Sequence, residues 1–359
     1  MPVQSQTLDS LTRPAELVET LENGDVRCQA CAHRCLIHPS RRGICQVRFN
    51  QDGRLLAPWG YVSGLQADPV EKKPFYHFLP GATALTFGML GCNFHCDYCQ
   101  NWFTSQALKD PASAGSLGQI QQVSPEQIVQ TALRTGSQVL ASSYNEPLIT
   151  SEWAVSVFRQ AVPEGIRCVM VSNGYATPEV LHYLRPWLTG FKIDLKSMQD
   201  AGYRRLGGVL QHVLDSIQLA HQLGLWVEVV TLLVPGFNDS DSELWDLTRF
   251  IMGVSPDIPW HVTAFHQDYR MQEADNTPPT SLLRAAEIGC EAGLRHVYAG
   301  NLPGRVDEYE TTFCHHCRTA LIKRRGFYVQ ENLITTRGTC PQCGTPVAGV
   351  WEDRIRPRD

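Results

Sequence analysis

From residue 82 onward the chain repeats one hydrophobic pattern. Short runs rich in β-branched and aromatic residues fall at 83–89, 138–143, 166–171, 190–195, 226–233, 259–264 and 295–299. Between them lie stretches whose apolar positions recur at helical spacing, at 124–135, 150–161, 177–185, 212–223, 240–252 and 279–291. Several of these open on Ser, Thr or Pro, which cap or preset a first helical turn. Parallel neighbours can be joined only by long connections, so the alternation predicts a parallel sheet with crossover helices. The expected fold class is α/β, a partial TIM-like (β/α)6 barrel, with an open doubly wound sheet as the alternative. No internal repeat of fixed period is present, and 110–124 is expected to be a flexible connection.

The flanks break the pattern, and three units are expected: a cysteine-rich N-terminal region and lead-in over 1–81, the barrel over 82–302, and a ribbon-like domain over 303–359. The first unit is expected to open with a helix at 14–21, followed by Cys28, Cys31, Cys35 and Cys45 and then a Gly- and Pro-rich stretch. In the last unit, Cys314 and Cys317 form one CxxC knuckle and Cys340 and Cys343 another, with a strand-like Gly326-Phe327-Tyr328-Val329 between them. Paired knuckles point to a zinc ribbon. His315 and His316 read as bystanders.

Hydrophobic content of 43% fits an ordinary globular protein. A net charge of -5 argues against a nucleic-acid partner held by electrostatics. No apolar stretch is long enough to span a bilayer, and the opening Met1-Pro2-Val3-Gln4-Ser5-Gln6 lacks the basic start and greasy core of a secretion signal, so the expected location is the cytoplasm. In a reducing compartment thirteen cysteines read as metal ligands rather than disulfides. Eleven fall into three groups; the other two, Cys168 and Cys290, are expected in the core.

The most informative group is Cys92, Cys96 and Cys99, in a CxxxCxxC loop directly after the first barrel run. Three thiolates so spaced can hold three corners of a four-iron four-sulfur (4Fe-4S) cluster and leave the fourth iron open to a small ligand. A loop following the first strand lies at the C-terminal edge of the sheet, where βα barrels place their chemistry. The quartet Cys28, Cys31, Cys35 and Cys45 can close around either zinc or an auxiliary iron-sulfur cluster.

The CxxxCxxC loop, with Tyr98 before its last cysteine, resembles that of the radical S-adenosylmethionine (SAM) enzymes. Ser143-Tyr144-Asn145-Glu146-Pro147, Ser172-Asn173-Gly174-Tyr175 and Lys192-Ile193-Asp194-Leu195-Lys196 are similar to segments of the pyruvate formate-lyase activating enzymes and their relatives. That likeness implies SAM contacts from Glu146, Asn173, Asp194 and Lys196, with His266 as a further contact. The string Asp68-Pro69-Val70-Glu71-Lys72-Lys73-Pro74, the loop end Cys99-Gln100-Asn101 and the C-terminal ribbon together resemble the AmmeMemoRadiSam radical SAM family over about residues 28–351. Thr86 stands where serine is expected in that family. Glu71, Lys72, Lys73 and His77 could line the substrate mouth or brace the barrel.

The resemblance implies reductive cleavage of SAM to methionine and a 5′-deoxyadenosyl radical that abstracts hydrogen from an unidentified substrate. A protein or peptide is the first expectation and a small metabolite the second, with flavodoxin or ferredoxin as electron donor and no nucleic acid or membrane partner. A reading of a different class is a non-catalytic scaffold in which the three cysteine groups hold zinc.

Overall fold

Eight strands pair in the order in which they occur along the chain. β1 (Gly64–Pro69) runs antiparallel to β2 (Thr83–Gly88). β3 (Val139–Ser142), β4 (Arg167–Ser172), β5 (Gly190–Asp194), β6 (Trp226–Leu233), β7 (Trp260–Ala264) and β8 (Val297–Gly300) then add in parallel. A doubly wound sheet reverses its order at a switch point. This one never reverses and its edges β1 and β8 stay unpaired with each other, so it is a partial barrel. The structure, a computed structural model, describes residues 8–351; the reading of the extreme N-terminus falls outside them.

Of helices α1 (Pro125–Arg134), α2 (Ser151–Ala161), α3 (Pro178–Leu184), α4 (Asp200–Leu206), α5 (Leu210–Gln222), α6 (Asp241–Val254) and α7 (Pro279–Glu291), all but the short α4, an addition to the expected set, follow the sequence pattern. Their starts are chemically specified. Ser124 accepts from the Gln127 amide at 3.3 Å while the Gln127 side chain accepts from the Ser124 amide at 2.8 Å, and Thr177 caps α3 through the Val180 amide at 3.1 Å. Cys168 is buried in β4 as expected. Cys290 is exposed, contrary to expectation, because α7 buries Leu282, Ala285, Ala286, Ile288 and Gly289 and turns residue 290 outward.

Two further expectations fail. The stretch 14–21 is not helical: Thr12–Pro14 pairs with Arg54–Pro58, and Val18–Thr20 with Val26–Cys28. Its cause is the Asn23-Gly24 pair, both at positive φ (59° and 78°), which turns the chain back on itself and recruits β-branched Val18 and Thr20 into a hairpin. The stretch 110–124 is not loose. Pro111–Gln119 winds as 3-10 turns with Ser113 and Ser116 buried, and Gln121–Gln122 pairs with Tyr61–Val62.

The N-terminal end of the barrel is plugged by residues 70–82. Val70, Phe75, Phe78 and Leu79 pack against Ala84, Val139, Ala141 and Val169 at the strand starts. The terminal domain, with strands β9 (Thr312–Phe313), β10 (Ala320–Arg325) and β11 (Tyr328–Asn332), docks on this plug. Val350 donates its amide to His77 O and accepts from the Leu79 amide, at 2.8 and 2.7 Å. Among the described residues, no helix is long and apolar enough to cross a membrane.

Candidate active site at the C-terminal rim of the barrel

The strand ends at the opposite rim surround a cavity of about 390 Å³. It is lined by Cys96 and Cys99 from the loop after β2, Ser143 and Tyr144 after β3, Lys192, Asp194 and Lys196 along β5, Thr263 on β7 and Asn301 after β8. The period-two geometry of a strand puts Lys192, Asp194 and Lys196 on the cavity side, with Ile193 and Leu195 buried on the other. Lys72, Lys73 and Pro74 reach the same cavity from the plug.

The cysteine loop is tightly held. Gly91, at φ 96°, begins it: a Cβ there would meet Val47 Cγ1 at 2.7 Å, so only glycine fits. Lys109 Nζ donates to Cys92 O at 2.6 Å and to Phe94 O at 3.1 Å. Cys92 lies deeper than the cavity wall, its sulfur accepting from the Phe94 amide at 3.3 Å. Burial pushes all three thiols upward, Cys96 to about 12, so without metal they stay protonated. Metal binding would displace those protons. Three soft ligands on one loop, two of them open to a cavity, fit an iron-sulfur cluster with one accessible corner.

The sequence-predicted SAM contacts divide. Asp194 lies in the cavity, bonded to the Lys192 ammonium and, at 3.2 Å, to Lys196 Nζ; despite burial, those two cations hold its carboxyl below the usual range. Asn173 donates to Asn93 Oδ1 at 2.7 Å beside Cys92. Glu146 is drawn inward: its carboxylate accepts from Ser172 Oγ at 2.7 Å, the Asn173 amide at 2.8 Å and the Leu148 amide at 3.0 Å, joining the ends of β3 and β4. Burial raises it to about 7 against those three bonds. His266 is exposed and outside the cavity lining.

The plug segment divides between cavity and brace. Lys72 and Lys73 face the cavity, whereas Glu71 and His77 are buried at the ribbon interface. Lys73 Nζ lies 3.3 Å from Tyr144 Oη, 3.6 Å from Asp68 and 4.7 Å from the Tyr144 ring centre; burial pulls its pKa down to about 8. Tyr144 itself sits at φ 72°, and Gly88 makes room for it, since a Cβ at 88 would meet Ser143 O at 2.4 Å. Sequence reading did not single out Tyr144 or Lys109 for these roles. Lys109 stands ten positions beyond Cys99 with no motif around it.

In the ribbon, Cys314, Cys317, Cys340 and Cys343 bring their sulfurs within 4.8 Å of one another. The cross-knuckle separations are 3.7 Å (Cys314 to Cys343) and 3.6 Å (Cys317 to Cys340). A tetrahedron of 2.3 Å zinc-sulfur bonds has edges of about 3.8 Å, so the set is shaped for a zinc ion. The two knuckles are built alike, each first cysteine donating its amide to Thr319 O or Thr345 O at 2.9 Å.

Comparison with known proteins agrees with this geometry. The Radical SAM superfamily model matches residues 87–251, from the end of β2 through most of α6. An uncharacterized protein of Methanocaldococcus jannaschii is 35% identical over 338 residues, covering 93% of this chain and 98% of its own. An isethionate sulfite-lyase activating enzyme of Nitratidesulfovibrio vulgaris is 25% identical over 134 residues, 36% of this chain and 43% of its own. A radical SAM methyltransferase from Sphaerobacter thermophilus superposes with a TM-score of 0.47 at 14% identity, over 84% of this chain and 82% of that one. The chain belongs to the radical SAM superfamily, with homology to glycyl-radical activating enzymes.

Proposed function

We propose that the protein is a radical SAM enzyme of the AmmeMemoRadiSam kind that abstracts hydrogen from a protein or peptide. The observation that carries this reading is the opening of Cys96 and Cys99 into the same cavity as Asp194 and Lys196. A 4Fe-4S cluster on Cys92, Cys96 and Cys99, when bound, supplies the electron that splits SAM into methionine and the 5′-deoxyadenosyl radical. The protein's own contribution is to bind, orient and exclude water. Lys196 and Lys192 suit the SAM carboxylate and Asp194 a ribose hydroxyl or the amine; Asn173 beside the cysteine loop and Glu146 beneath it would fix the shape of the amine pocket. His266 would join only by a movement of its loop. Thirteen described cysteines with no disulfide among them suit a reducing, cytoplasmic setting, and the electron would come from a flavodoxin- or ferredoxin-type donor. One feature favours the second reading, a small acidic metabolite: four lysines against one aspartate give the cavity wall a positive balance.

Anaerobic incubation of the reconstituted protein with dithionite and SAM tests the proposal. The expected product is 5′-deoxyadenosine, absent with Cys99→Ala; a wild-type protein that carries the cluster but forms none would refute it. Transfer of deuterium from a labelled peptide into 5′-deoxyadenosine would select the peptide reading, and transfer only from acidic metabolites the second.

A further inference from the structure

We infer that Cys28, Cys31, Cys35 and Cys45 hold a second iron-sulfur cluster, closed at all four corners and seated behind the loop that carries Cys92, Cys96 and Cys99. The four side chains line one small enclosed pocket with Ala30, Ile37 and Ile149. Cys28, Cys31 and Cys45 are buried and Cys35 is half-buried. A buried apolar pocket with four thiols is a poor place for anything except a soft metal centre.

Spacing separates a cluster from a zinc ion. Among the described residues, the ribbon quartet is the set of metal-ligating side chains whose ligand atoms all gather within 4.8 Å. Its sulfurs stand one zinc tetrahedron apart. The N-terminal cysteines line one pocket but are not gathered into such a set, and the same holds for Cys92, Cys96 and Cys99. A cube of four irons and four sulfides holds its thiolates farther apart than a single ion does.

A second observation comes from Arg48. Its side chain lines the same pocket and is 1% exposed. Both terminal nitrogens are committed, Nη1 to Glu152 Oε2 at 2.8 Å and Ile149 O at 3.1 Å, Nη2 to Glu152 Oε1 at 2.7 Å. Its Nε has no partner at all. A buried, unpaired N–H is expensive, and in native proteins such a group marks a missing acceptor. Thiolate or sulfide at the pocket centre supplies one, and an N–H donated there would raise the reduction potential of the cluster.

The place of the pocket fixes its role. None of the four cysteines reaches the cavity. Instead the module packs on the first loop: Gly91 lies against Val47 and Cys45 O, and a ring nitrogen of His33 is 3.1 Å from Asn93 O. Four thiolates leave no iron free to bind substrate or SAM, so this centre exchanges electrons and does no bond chemistry.

The test uses the full chain with Cys92→Ala, Cys96→Ala and Cys99→Ala together, reconstituted without oxygen. About four irons and four sulfides per chain are expected to remain, with an electron paramagnetic resonance signal after reduction, and about one zinc from the ribbon to show that the chain has folded. Iron-free protein, with either one zinc or two, would overturn the inference. If the triple variant does not fold, wild-type iron decides: about eight per chain supports the second cluster and about four refutes it. Cys28→Ala with Cys31→Ala should bring eight down to four. The inference is separable from the proposed function, because iron that vanishes entirely with the triple substitution removes the second cluster, whereas the proposed function is judged by 5′-deoxyadenosine formation in the wild type.

Discussion

The two ends of the barrel are both polar, yet they use polarity in opposite ways. At the N-terminal end most of the buried charge is met from within the protein. Glu228 accepts from the Tyr76 and His77 amides, Trp226 Nε1 and His261 Nε2, at 3.0, 2.9, 2.9 and 2.7 Å. A directed chain of bonds runs above it: Arg324 donates to Thr312 at 2.8 Å, Thr312 pairs with Tyr298 at 2.7 Å, Tyr298 with His77 at 2.6 Å, and His77 Nδ1 with Ala348 O at 2.7 Å. Because Ala348 O can only accept, Nδ1 carries the hydrogen and Nε2 accepts from Tyr298. In the cavity that opens at the C-terminal rim, Lys73, reaching in from the plug, has only long contacts, and Asp194, held by Lys192 and Lys196, faces open space. Polar groups paired within the protein build most of the floor and fix the ribbon, with Glu71 Oε2, Arg324 Nε and His296 Nε2 left without a hydrogen-bond partner; at the other end charged groups line open cavity. Substitutions at the floor should therefore move stability without turnover, and those at the rim the reverse.

Acid gives the largest test. His77, His261 and His296 are all pushed below the ordinary histidine value by burial, His296 to about 4. As pH falls below about 6.5 the unfolded chain takes up protons that the folded floor refuses, so stability is lost downward through that window, at up to about 1.4 kcal/mol per pH unit for each histidine. Unfolding free energies from denaturant titrations at pH 7 and 5 should differ by several kcal/mol; tryptophan fluorescence reports the change, since Trp351 and Trp226 flank His77 with ring centres 5.2 and 6.2 Å away. Equal free energies would mean the floor carries little of the stability. Next in size is Arg324→Ala, which strands Glu71 and removes a donor to Tyr76 O at 2.6 Å. Breaking a buried pair from one side costs about 3–5 kcal/mol. The midpoint should fall accordingly, with 5′-deoxyadenosine formed per folded molecule unchanged; loss of turnover at unchanged stability would invert the comparison.

The sheet was largely legible because its signals are local. Runs such as 226–233 and capped starts such as Ser124-Pro125 specify strand and helix within a few residues. Cys96, Cys99, Asp194 and Lys196 could be placed in one site because a strand's period and a loop's position after β2 carry that information. The floor could not. Glu228, His77, Tyr298 and Arg324 are far apart in sequence and meet only through the docking of the ribbon, and no spacing announces that. The inward bonding of Glu146 is hidden for a related reason: its partners, Ser172 and the Asn173 amide, lie at the end of the neighbouring strand. The hairpin at 18–28 shows the opposite failure: its Asn23-Gly24 turn is a local signal, while the neighbouring Ala15, Glu16 and Leu17 are helix formers that point the other way.

At the rim, Asp194→Asn keeps the shape and removes the charge between Lys192 and Lys196. A hydrogen bond to a charged group contributes about 1.5–3 kcal/mol, so KM for SAM should rise roughly ten- to a hundred-fold. An unchanged KM would place SAM elsewhere in the cavity.

Lys73 gives the smallest and most selective test. With its pKa near 8 instead of 10.5, it is charged at neutral pH and loses that charge just above it. If its ammonium faces an anionic group of SAM or substrate, binding should weaken above pH 8 by up to about tenfold per pH unit, while kcat holds. The stability effect has its own sign: between pH 8 and 10.5 the unfolded chain binds the proton that the folded site has released, so stability rises with pH across that window. Lys73→Met should abolish both slopes, leaving a flat KM profile and no alkaline gain. A KM that still rises in the variant would assign the titration to the ligand or to another rim group. Loss of the stability slope with the KM slope intact would make Lys73 part of the floor that it adjoins in sequence, and move the boundary between the two ends past residue 73.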